Sequence, residues 1–181
     1  MKYLALLRGI NVGGKHAVPM ADLRQCFEGA GFAEVSTYIN SGNVIFESAT
    51  LADAALVQKV TAVLEQRFGW PIACAVISAD EFAAAMEQAP TWWNQDPTAK
   101  NNAIFVIAPA TTVQVMDIVG EAKSEYESVA AAGPIIFWTT TFANFNRTRY
   151  SRMVGTPAYH LVTIRNAHTT VKLLALCQAK D

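Results

Sequence analysis

Two hydrophobic periods alternate along this chain, and the points where one gives way to the other divide it into elements. Residues 3–7 form a short unbroken apolar run, the mark of a buried central strand. Met20, Leu23, Phe27 and Ala30 then recur at helical spacing. Pro19 stands where a helix can begin without losing a useful N–H, and Gly31 is a natural stop. Strands are expected at residues 35–39 and 44–46, around Asn40-Ser41-Gly42-Asn43, residues suited to a tight turn. Leu56, Val60, Val63 and Leu64 mark a second helix closed by Gly69 and Pro71, and residues 72–77 read as another strand. The order is βαββαβ, a split βαβ unit of ferredoxin type.

The pattern then repeats in architecture, without recognisable residue identity. A helix is expected over about 80–88, and Trp92 and Trp93 are read as packing at the junction of the halves. A strand at 103–108, a helix at 111–122 and a hairpin of 126–131 with 135–141 around Gly133-Pro134 follow. Helical structure is expected near 150–154, a last strand at 160–164 and a closing helix at 167–177 with Asn166 as its N-cap. The fold class is therefore α+β, two ferredoxin-like βαββαβ halves packed together with an extra C-terminal helix. The division is read as 1–89 and 90–181.

Composition narrows the classes. Of 181 residues, 52% are hydrophobic and 16% charged, enough to bury a core and unlike a disordered chain. The net charge of −1 supplies no broad basic surface for gripping nucleic acid non-specifically. Cys26, Cys74 and Cys177 are odd in number, far apart and without CxxC spacing, as expected of free thiols in a reducing compartment. Arg8 and Gly9 end the first apolar run before a signal-peptide core is complete, and no stretch approaches the ~18 apolar residues of a membrane span. A cytoplasmic protein without a membrane partner is expected. Oligomeric state is left open.

Gly9-Ile10-Asn11-Val12-Gly13-Gly14-Lys15 formally matches GxxxxGK after a buried strand, the first part of a phosphate loop. His16 replaces the hydroxyl that would hold magnesium, and Pro19 delays the helix start, so NTPase chemistry is not expected. Exposed backbone N–H groups beside Arg8 and Lys15 can still bind an anion. In a βαββαβ unit the loop after the first strand and the turn after the second lie at one end of the sheet. That places Arg8, Asn11, Gly13, Gly14 and Lys15 beside Asn40, Ser41, Gly42 and Asn43. Arginine can grip a carboxylate or phosphate with two bonds, while amides and a hydroxyl orient it.

Two further segments carry candidate chemistry. Residues 142–152 interleave Arg147, Arg149 and Arg152 with Phe142, Phe145 and Tyr150, a pattern that can stack bases and neutralise phosphates or simply pin a surface loop. Arg165 and Asn166 stand where the last helix begins, so its N–H groups and dipole can favour an anion there. His16, His160 and His168 lack metal-ligand spacing, no metal is expected, and no GxSxG elbow makes Ser41 a nucleophile.

The run LALLRGINVGGKHAVPMADLR, followed by GF and TYINSGNVIF, resembles the uncharacterised bacterial family called domain of unknown function 1697. Thr163-Ile164-Arg165-Asn166 with Thr170, Lys172 and Leu173 resembles that family's C-terminal signature. Ala167 and His168 stand where the family often has a Trp, and Ser151-Arg152-Met153 carries Arg in place of a Lys. The resemblance implies a two-subdomain ferredoxin-like fold and nominates the same polar residues, Arg165 and Asn166 included. It implies neither activity nor cofactor.

The leading expectation is binding of a small anionic or phosphate-bearing ligand, a nucleotide among the candidates, at the polar loops of the first half. A metal-independent enzyme using that pocket, with Arg8 or Lys15 stabilising negative charge, is the alternative. A nucleic-acid-binding or interaction module is the third reading, although residues 3–7 and 44–46 lack the aromatic pattern of an RNA-recognition sheet.

Overall fold

Leu4 stands opposite Ile45 on one flank and Ile77 on the other, so the strand that carries it is central. In the computed structural model, which describes residues 1–49 and 53–179, that strand is β1 (Lys2–Leu7). It is followed by α1 (Met20–Gly29), β2 (Ala33–Tyr38), β3 (Asn43–Glu47), α2 (Asp53–Phe68) and β4 (Cys74–Ser78). The strands form an antiparallel sheet in the order β2-β3-β1-β4, the ferredoxin-type arrangement the apolar pattern predicts. Tyr3, Ala5 and Leu7 of β1 pack with Leu23 and Phe27 of α1 and with Leu56, Val60 and Leu64 of α2. Phe27, Phe32 and Phe46 form the aromatic centre of this core, with ring centroids 4.7–5.5 Å apart. Each such ring stabilises the fold by about 1.5–3 kcal/mol through burial alone.

The second series is α3 (Ala79–Glu87), β5 (Ala99–Val106), α4 (Thr112–Val119), β6 (Glu127–Ala132), β7 (Ile135–Thr141), β8 (Val162–Asn166) and α5 (Ala167–Gln178). Its sheet has the order β6-β7-β5-β8, which repeats the first with each strand in the equivalent place. Where the first half has α2, the second has three 3-10 helices, Phe145–Arg147, Tyr150–Gly155 and Pro157–Leu161. The fold is α+β with two similar halves. The chain forms two compact units, Met1–Ala79 with the stretch from Leu173 onward, and Asp80–Lys172.

Several boundaries differ from the sequence reading for physical reasons. β5 begins at Ala99, not near 103, because polar Asn101 is satisfied inside the sheet. Its amide donates to Asp96 O at 2.9 Å, and its Oδ1 accepts from Thr139 Oγ1 at 2.6 Å. The last strand begins at Val162, since Pro157 starts a 3-10 turn that takes in His160. β2 starts two residues early and bulges: Ala33 faces Glu47 while Ser36 faces Ile45, with Glu34 at φ 47°. Trp93 packs within the second unit, edge-on to Phe137, with its Nε1 donating to Asn102 O at 2.8 Å.

Candidate functional site

The glycine-rich loop after β1 is a small β-hairpin. Val12 and Lys15 form an antiparallel bridge, with Lys15 N donating to Val12 O at 3.1 Å and Asn11 N to His16 O at 3.1 Å. Gly13 and Gly14, at φ 59° and 70°, make the two-residue turn, both in the left-handed region that a type I′ hairpin needs. The glycines therefore build a hairpin finger that stands ahead of α1, which starts only at Met20. The finger is exposed, Val12 at 68%.

Its base is closed by one side chain. Asn11 Oδ1 accepts from Val18 N at 2.8 Å, and Asn11 Nδ2 donates to Val18 O at 3.0 Å and to Asn40 O at 2.8 Å. Both amide hydrogens are used, so Asn11 is a scaffold that joins the finger to the β2–β3 turn. On its other side His16 lies over Trp70, ring centroids 5.4 Å apart and 25° from parallel. The sequence carried no signal for that stack, because the two rings sit on different loops.

The convergence of the two loops expected from topology is present. Leu7 N donates to Gly42 O at 2.8 Å, and Gly42 packs directly against Ile10 and Leu7. Ile39 through Gly42 make the turn, while Asn43 opens β3. Asn43 is fully buried, and its Nδ2 donates to Tyr38 O at 2.8 Å and to Ser41 Oγ at 3.0 Å. Asn43 thus holds the turn from inside.

A surface depression of about 340 Å³ lies between the loops, lined by Asn11, Gly14, Lys15, Ala17, Val18, Pro19 and Asn40. Of the sequence-predicted residues, Asn11, Gly14, Lys15 and Asn40 meet here. Arg8, Gly13, Ser41, Gly42 and Asn43 do not line it. Arg8 is half-buried at the end of β1, its N–H donating to Ala73 O at 2.9 Å. Lys15 forms no ion pair among the described residues. Pro19, the N-cap of α1, makes no side-chain capping bond, and Asp22 in the first turn pairs with Arg67 at 2.8 Å. Helical N-termini carry a partial positive charge that exposed N–H groups present to solvent.

Arg165 and Asn166 lie in the second unit. Arg165 is buried on β8, where its Nη1 donates to Thr163 Oγ1 at 2.9 Å, and burial lowers its pKa to about 10. Asn166 caps α5 as expected, its Oδ1 accepting from Thr169 N at 2.8 Å. No group of His, Cys, Asp and Glu among the described residues can hold a metal ion. Among the same residues, no helix is long and apolar enough to cross a membrane.

A family model described as "Protein of unknown function (DUF1697)" matches residues 1–137. No curated protein matches the chain. Among solved structures, the conserved bacterial protein SP0830 from Streptococcus pneumoniae is similar over 98% of both chains, at 32% identity and a TM-score of 0.88.

Proposed function

This chain belongs to the DUF1697 family of proteins of unknown function, and from its own residues we propose that it binds a small phosphate-bearing anion at the depression beside the hairpin finger. The observation that carries this reading is Lys15: an ammonium without an ion-pair partner among the described residues, in the wall of a depression that also holds the N-cap of α1. The N–H of Gly14, in the same wall, adds a donor that no group among the described residues accepts from. A volume of about 340 Å³ suits a phosphate or diphosphate group. Lys15, Gly14 and the exposed Asn40 offer contacts, while Asn11, Ser41, Gly42 and Asn43 hold the two loops in place. Arg8 adds positive charge at the end of β1. The free thiols of Cys26, Cys74 and Cys177 support a cytoplasmic setting.

Calorimetric titration with pyrophosphate at low ionic strength tests the reading, because an exposed cation is screened by salt. Wild-type protein is expected to bind, and Lys15→Ala to lose roughly tenfold in affinity, as for one charge-assisted contact. Equal affinity in the two proteins would sink the assignment.

A further inference from the structure

Cations and aromatic rings interleave at one end of the second sheet, away from any role in the anion site. Lys100 on β5 faces Thr140 of β7. Its Nζ stands 3.8 Å from the centroid of Phe145 and 5.4 Å from that of Phe142. Phe145 in turn packs on Trp138 at 5.8 Å. Arg147 lies 5.1 Å over Tyr126, and Lys123 Nζ donates to Arg147 O at 3.1 Å. Arg149 and Arg152 continue the same segment, both exposed.

These five cations form no ion pair among the described residues. The carboxylate that does lie among them, Glu127, is buried and turned to the main chain. It accepts from Lys123 N at 3.0 Å, Arg149 N at 2.7 Å and Tyr150 N at 3.2 Å. Glu127 therefore fixes the two loops that carry the cations without neutralising their side chains. Phe142 remains 64% exposed, a large ring beside the Lys100 ammonium.

Repeated positive charge around an exposed aromatic ring calls for a partner with repeated negative charge and flat apolar groups. An acidic peptide supplies the charge without the faces. A duplex supplies charge with its bases hidden. A membrane needs a continuous apolar area, whereas Phe142 and Val154 are the exposed large hydrophobics of this segment. We propose that Lys100, Lys123, Arg147, Arg149 and Arg152 form, around Phe142, a surface for single-stranded nucleic acid, with Phe142 as the platform for an unstacked base. Glu121 and Glu125 flank Lys123 and Glu127 lies beneath the same segment, so five cations against three carboxylates leave a modest excess of two. The salt dependence is then correspondingly modest, a log–log slope of about −1.4.

The test is fluorescence anisotropy with the full chain and labelled oligothymidylate or oligouridylate of roughly a dozen nucleotides, within the range of single-strand site sizes. Both single strands are expected to bind at low salt, and a duplex of the same length more weakly. A preference for the RNA would add a 2′-hydroxyl contact to the same site; equal binding would mean that backbone and base alone are read. Phe142→Ala is expected to weaken either strand by roughly 5- to 100-fold, with polyphosphate binding unchanged, and Phe142→Trp to restore it. Measured in Lys15→Ala protein, in which the anion site of the first unit is disabled, Arg147→Gln with Arg149→Gln should weaken strand and polyphosphate alike. No binding at low salt overturns the proposal. So does a Phe142→Ala protein of unaltered melting temperature that binds as tightly as wild type, or displacement of the oligonucleotide by polyglutamate as readily as by unlabelled strand.

Discussion

Asn11 holds Val18 by both faces of its main chain, accepting from the N–H at 2.8 Å and donating to the carbonyl at 3.0 Å. One side chain thereby does the work of a strand pair and closes the base of the finger. Asn11 also adopts φ 54°, a region asparagine tolerates better than most residues. Asn11→Ala removes the three amide bonds and strains the backbone. The expected cost is about 1–3 kcal/mol, read as a lower urea midpoint at unchanged slope.

Gly42 marks where the two loops come closest. A Cβ there would lie 2.5 Å from Ile10 Cδ1 and 2.9 Å from Leu7 Cβ, at φ 81°. The Ile10 contact is with the end of a flexible side chain, but the Leu7 contact is with a rigid strand. Gly42→Ala is expected to destabilise by about 2–4 kcal/mol from overpacking and backbone strain together. Gly13→Ala meets nothing within 4 Å and should cost only the strain, about 1 kcal/mol. Equal midpoints for the two variants in denaturant would show that the loops do not press together at Gly42.

Alkaline pH should loosen the protein. Burial raises the thiol of Cys74 from 9.0 to about 12 and that of Cys177 to about 11. Burial, helped by the charge of Glu127, raises Tyr150 from 10.0 to about 12. All three groups stay protonated in the folded state at pH values where the unfolded chain has released their protons. The unfolded state therefore binds fewer protons, and stability falls as pH rises. The contribution is complete below about 9, the ordinary thiol value, and is lost progressively up to about 12. Urea midpoints measured from pH 8 upward should decline through this window, and Cys74→Ala should flatten the decline. A flat profile in wild type would contradict the burial of these groups.

The architecture was legible because β1 and the helical stripes of α1 and α2 alternate cleanly between periods. The repeat in the second half was readable for the same reason, even without repeated residues. Polar residues that are satisfied inside elements were not: Asn101 reads as loop and sits in a strand, its amide bonded to Asp96 and Thr139. The candidate site was half legible. Topology alone predicted that the loop after β1 meets the β2–β3 turn, and the Leu7–Gly42 bond bears it out. Residue type could not say which amides face outward. Asn43 is buried and Asn11 saturated, although both look like ligand contacts in the sequence. Nor did GxxxxGK spacing distinguish a cradle from a hairpin, since both need glycine at positive φ.

The most direct test of the anion site is a pyrophosphate titration followed through the backbone amide resonances of the labelled protein. The expected result is a set of saturable shifts at Gly14, Lys15, Val18 and Asn40, absent in Lys15→Ala. Shifts confined to the second unit, or none at all at low salt, would contradict the account and leave the finger as a structural feature of the first unit alone.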